Sequence, residues 1–173
     1  MWYFLSKYVQ LNPVILLLNF TCSIIAIVMI VIAVFGFDFP DAWTFLYPLP
    51  FQSAKAEGIA GAILFLLGVL ILGVGYLMMY LYLAGRLIKE YGSLGKTLGW
   101  DVILGKKDGY GPPPAVVATT MVIITNSTAI IAGSIVLVGS ILNIMNPAIT
   151  MDPMFAKHLT YAFGHVFCNA TIY

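Results

Sequence analysis

The sequence predicts an all-α membrane protein, and three observations carry that expectation. Hydrophobic residues make up 61% of the 173 and charged residues only 9%, with a mean hydropathy of +1.00. No single water-soluble core accommodates that balance. The apolar residues also fall into four runs, each near or beyond the roughly 20 residues that a 30 Å hydrocarbon layer requires. Finally, the runs are continuous rather than alternating over about ten residues, which fits helices and not barrel strands. The formal net charge of +1 implies no nucleic-acid partner.

The four expected spans are residues 14–35, 59–87, 115–145 and 154–173. The N-terminal stretch MWYFLSKYVQ has one lysine and no small-residue cleavage pattern, so a removable signal peptide is not expected. The first span carries Asn19, Thr21 and Ser23 in its N-terminal part, and Asp38, Pro40, Asp41, Pro48 and Pro50 break the chain after it. The second holds Gly61, Gly68, Gly73 and Gly75, small residues that let membrane helices approach closely. Gly68 and Gly73 do not form a GxxxG pair, so no specific dimer motif is read there. The GPPP run ends the gap before the third span, which carries Asn126, Ser127, Thr128, Gly133, Ser134, Gly139 and Ser140. These are read as packing and backbone-bonding residues. Asn146, Pro147, Asp152 and Pro153 fill the last gap, where Asp152 suits the cap of the final helix. Cys22 and Cys168 both lie in apolar stretches and read as small buried hydrophobes.

Direction follows from the basic residues. Arg86, Lys89, Lys96, Lys106 and Lys107 are five of the eight Lys and Arg, and all sit in the 86–114 loop. The positive-inside bias places that loop and the N-terminus in the cytoplasm, and the 37–58 loop outside. All seven acidic residues lie in or beside loops, so no span offers a carboxylate to carry protons.

The last span differs from the others because His165 lies near its middle. An ionisable side chain at that depth costs at least about 2–3 kcal/mol without compensation. Tyr161 and Asn169 lie one turn away on either side and share its face. Three readings follow: an imidazole hydrogen-bonded to a neighbouring helix, a metal- or haem-linked site, or a proton relay. One histidine is not a complete metal site, so any such site is finished by other residues. His158, nearer the outer end, reads as interfacial. Tyr173 follows with no polar flank, which reads as a helix that continues.

Two stretches resemble the catalytic subunit of haem–copper respiratory oxidases. DPMFAKHLTYAFGHVFCNATIY, residues 152–173, is similar to that family's sixth helix, which typically begins Asp-Pro-Leu and continues through an aromatic-rich turn to Gly-His. WTFLYPLPFQ, residues 43–52, resembles the outer loop between the family's third and fourth helices, commonly of Thr-x-Tyr-Pro-Pro-Leu type. The interval between them and the direction of the spans also fit, so the chain would be helices three to six of a bundle of twelve or more.

The resemblance implies that His165 is one of three histidines holding copper beside a high-spin haem, with Tyr161 at the cofactor and Asn169 at the reacting site. The position two after His165 is Phe167, where the A-type branch has glutamate, which points to the B-type branch. The position four after it is Asn169, where A- and B-type oxidases have a histidine-linked tyrosine. That departure brings in the nitric oxide reductases, which lack the tyrosine. Tyr173 lies about 12 Å further along the helix and does not substitute for it. The implied activity is reduction of O2 to water with proton translocation, in a plasma membrane. The implied partners are the rest of the catalytic subunit, a copper-carrying electron-entry subunit, and a donor such as cytochrome c, a blue copper protein or quinol. Copper and haem would belong to the complete complex, and this chain alone is expected to bind neither. A non-catalytic membrane scaffold is the reading from another class.

The topology is testable by labelling intact cells with an impermeant thiol reagent. Ser53→Cys is expected to react and Ser93→Cys not; the reverse pattern would overturn both the orientation and the helix assignment.

Overall fold

Asn12 and Pro13 set the start of the first long helix. The computed structural model, which describes residues 1–39, 47, 58–106 and 108–172, shows Asn12 Oδ1 accepting from the Val14 amide at 3.0 Å. Pro13 occupies the first turn, where its missing N–H costs nothing. The elements are α1 (Trp2–Leu5), α2 (Pro13–Gly36), α3 (Ile59–Tyr91), α4 (Leu94–Thr97), α5 (Trp100–Ile103), α6 (Pro114–Met145) and α7 (Pro153–Ile172). No strand occurs among the described residues.

Three of these, α2, α3 and α6, are long and apolar enough to cross a membrane. The stretch expected as a fourth span is a helix of 20 residues, α7, but it is not among the helices apolar enough to count as a span. Lys157, His158, His165 and Asn169 make it more polar than the other three. The second span runs past its expected end at 87 because no breaker intervenes between Arg86 and Tyr91. It stops at Gly92, whose φ of 87° is left-handed and whose amide returns to the Ile88 carbonyl at 2.8 Å. The basic loop is correspondingly shorter and carries the two one-turn helices α4 and α5.

Within a bilayer, lipid is as apolar as leucine, so helices associate through close packing and hydrogen bonds rather than by escaping water. The α2–α3 pair shows how. Gly61, Gly68 and Gly75 recur every seven residues and face, in turn, Phe37 just past the end of the antiparallel α2 and Ala26 and Cys22 within it. On α2, Ala33, Ala26 and Asn19 are buried at the same interval. A Cβ on Gly68 would stand 2.9 Å from Ile30 Cγ1 and 3.0 Å from the Ala26 carbonyl oxygen; one on Gly75 would stand 2.8 Å from Cys22 Cβ. Gly73, by contrast, has nothing within 4 Å of such a Cβ.

α2 packs on α3, α3 on α6, and α6 on α7, so the long helices form a row in which each backbone meets its neighbours in sequence. Tyr80, Leu83 and Leu87 of α3 meet Val116, Ile123 and Ile130 of α6 in one core, which Leu5 and Val9 close from the N-terminal segment. That segment is tied to α3 by the Asn12 amide on the Tyr82 hydroxyl at 2.6 Å and by Arg86 Nε on the Gln10 carbonyl at 2.8 Å. A second core joins Ala33 and Phe39 to Ala62, Phe65 and Leu66 of α3 and Leu137 of α6.

The glycine register makes a matched prediction. Gly68→Ala should lower stability in detergent by about 1–3 kcal/mol through overpacking. Gly73→Ala should leave the unfolding midpoint unchanged or slightly raised; equal losses would refute the close-approach seam.

Candidate functional site

The start of α7 is set by its loop. Asp152 Oδ1 accepts from the Phe155 amide at 2.7 Å with Pro153 in the first turn, as the sequence predicts. The Tyr47 hydroxyl accepts from the Met151 amide at 3.1 Å, and Asn143 Nδ2 donates to the Ile149 carbonyl at 2.8 Å. Tyr47 and the 146–152 stretch therefore meet at the end from which α7 begins.

From there the helix presents two different faces. Thr160, Phe163 and Phe167 face α3 and α6, below the fully buried Ala156. Phe163 lies against Gly133, where a Cβ would be 2.8 Å from its ring. Phe163 and Phe167 stack at 5.4 Å, and Phe167 meets Tyr76 edge-on at 5.4 Å. Between the three helices is a cavity of about 90 Å³ whose lining includes Gly73, Tyr76, Ser134, Thr160, Phe163 and Phe167.

Tyr161, His165 and Asn169 lie together on the other face, as the spacing predicts, and all three are exposed. The aromatic face of α7 takes the contact with α6 and α3, and His165 points away from them. Its ring stacks on Tyr161 with centroids 5.1 Å apart and planes 15° apart. His165 Nδ1 lies 3.1 Å from the Tyr161 carbonyl oxygen. A carbonyl only accepts, so in this contact Nδ1 is the donor, and Nε2 is the ring nitrogen without a hydrogen bond among the described residues. The stacked Tyr161 ring and its carbonyl together hold the tilt of the imidazole. His158 is exposed near the start of the helix, as the interfacial reading expects.

Sequence reasoning missed one buried polar pair. Asn126 Nδ2 on α6 donates to the Tyr80 hydroxyl on α3 at 2.9 Å, with Asn126 and Tyr80 0% and 1% exposed. Tyr80 is one of ten tyrosines in an aromatic-rich chain, and nothing in its spacing singles it out. Other polar residues behave as packing residues: Thr120, Ser134 and Ser140 each donate to the carbonyl four residues before. Both cysteines are half-buried and unpaired.

As a metal site, the described part of the chain offers one imidazole. No group of three or more His, Cys, Asp or Glu comes together among the described residues. The donor set does not by itself fit a copper or haem iron centre, which takes several convergent ligands. Tyr173 and the 43–52 motif, apart from Tyr47, lie outside the described residues. Compared with known proteins, the chain matches no protein-family model, no curated protein and no solved structure.

The Tyr80–Asn126 bond should be worth about 0.6 kcal/mol of coupling and at most about 1.7, the average and upper value for hydrogen bonds between membrane helices. A double-mutant cycle with Tyr80→Phe and Asn126→Leu in detergent unfolding measures it, and zero coupling would show that packing alone joins α3 to α6 there.

Proposed function

We propose that this chain is a four-span portion of a haem–copper respiratory oxidoreductase, with α7 as the fourth span and His165 as a ligand supplied to a metal completed by other helices. The observation that carries the reading is the geometry of α7. Its apolar face is satisfied by α6 and α3, while Tyr161, His165 and Asn169 are turned outward with Nε2 of His165 open. In hydrocarbon that face is costly, and covering it with further helices removes the cost. Copper or iron would supply the redox chemistry when bound; a neutral imidazole held by the Tyr161 carbonyl suits such a metal. Asn169, one turn further on, has an amide able to hydrogen-bond a diatomic molecule or water but no redox equivalent to give. In this reading the chain sits in a plasma membrane with its N-terminus in the cytoplasm. It takes electrons through a copper-carrying subunit from cytochrome c, a blue copper protein or quinol.

Oxygen is the proposed substrate. Nitric oxide reduction is the second reading, and Asn169 favours it, since joining two NO molecules needs no O–O cleavage and no tyrosine at that position.

Two measurements test this. In the complete complex, His165→Ala should reduce bound copper from stoichiometric to background by elemental analysis while membrane insertion is retained; unchanged copper would remove His165 as a ligand and leave the scaffold reading. Turnover of the intact complex with O2 and with NO separates the two chemistries, and rapid NO consumption with negligible O2 uptake would overturn the oxidase.

A further inference from the structure

The stretch between α3 and α6 exposes an apolar cluster that neither the fold nor the proposed site uses. Trp100, Ile103 and Leu104 are 51%, 69% and 60% exposed. Their i, i+3, i+4 spacing through α5 and its cap puts them on one face. In water such a cluster is unfavourable, by about 25 cal/mol for each Å² of apolar surface.

The position of α6 indicates what covers the cluster. All 32 residues from Pro114 to Met145 are uncharged, and at 1.5 Å per residue the helix is about 48 Å long. A bilayer is about 40–45 Å thick including its headgroups. An uncharged helix of that length, modestly tilted, begins and ends within the two headgroup layers. The α4–α5 stretch leads into Pro114 and is held against the same end. α4 packs on both α3 and α6. Thr97 is fully buried there, and Gly99 lies close to Pro112, 3.3 Å from a Cβ built on it. Lys96 and Lys106 flank the cluster and are exposed. Asp101, the acid between them, accepts from the Val102 amide at 3.0 Å. Glu90 and Asp108, the nearest other carboxylates, fall outside the 96–106 run.

We propose that the α4–α5 stretch docks onto the headgroup layer of the bilayer that α3 and α6 span. Trp100, Ile103 and Leu104 enter at the level of the glycerol and upper acyl chain, and Lys96 and Lys106 meet lipid phosphates. Tryptophan beside lysine is the composition that such an interface favours. The docking is independent of what His165 binds.

The chain contains three tryptophans, so Trp2→Phe with Trp43→Phe leaves Trp100 as the only strong fluorophore. In phosphatidylcholine–phosphatidylglycerol vesicles, lipids brominated near the glycerol end should quench its emission about two-fold, more than lipids brominated near the terminal methyl, as an interfacial indole requires. Acrylamide should quench it less than free indole. An indole quenched freely by acrylamide and untouched by bromolipid, or shielded from both, would overturn the proposal. Should the double variant not fold, the wild-type chain can be reconstituted with a phospholipid carrying a diazirine near its glycerol. Adducts within residues 100–104 are expected, and their absence refutes the docking.

Discussion

A bilayer gives apolar side chains almost no reason to prefer one another over lipid, and the arrangement of α2, α3 and α6 follows from that constraint. What remains to hold helices together is the closeness of their backbones and the occasional buried hydrogen bond. Both devices occur where they are needed. Gly61, Gly68 and Gly75 bring α3 onto α2, the Asn126–Tyr80 bond joins α6 to α3, and Gly133 admits the ring of Phe163 where α7 meets α6. Large aliphatic residues cover the surfaces left over and face lipid.

Close fit also decides which face of α7 turns outward. Phe163 and Phe167 are suited to lipid, yet they are packed inward, while His165, Tyr161 and Asn169, poorly suited to lipid, are not. Steric fit to Gly133 and Tyr76 selects the inward face, and the polar stripe takes the side that remains. Within a row of helices, unlike a closed bundle, such a side is open to another partner. The internal bond from Nδ1 to the Tyr161 carbonyl means that His165 needs no help from that partner to hold its orientation.

Much of the fold was legible in the sequence, because prolines and charges punctuate it. Asn12-Pro13 and Asp152-Pro153 start helices where their chemistry says they should, and the ends near 36 and 145 coincide with Gly36 and Asn146. Three features were not legible. The glycine seam has a seven-residue period that becomes meaningful only once α2 is known to be the facing helix, whereas the familiar signature for close membrane packing has a period of four. The spacing of Tyr161, His165 and Asn169 reveals a shared face but not its direction, because the opposite face of α7 is apolar and suits lipid and protein equally well. The overrun of α3 past Arg86 was hidden for a related reason: a basic residue marks a membrane boundary, not a helix end.

The row has a consequence for how the protein is made. Each long helix packs on the one that precedes it, so α2 and α3 can zip together as a hairpin while α6 is still being synthesised. α7 follows α6 and rests mainly on it, with Phe163 and Phe167 reaching the α3 side of the core. A helix supported chiefly by one neighbour is expected to open as a local unit. In native-state hydrogen exchange its amides should define a cooperative unit of their own. Quality control in the membrane would first meet a nascent molecule whose polar stripe is still unmatched.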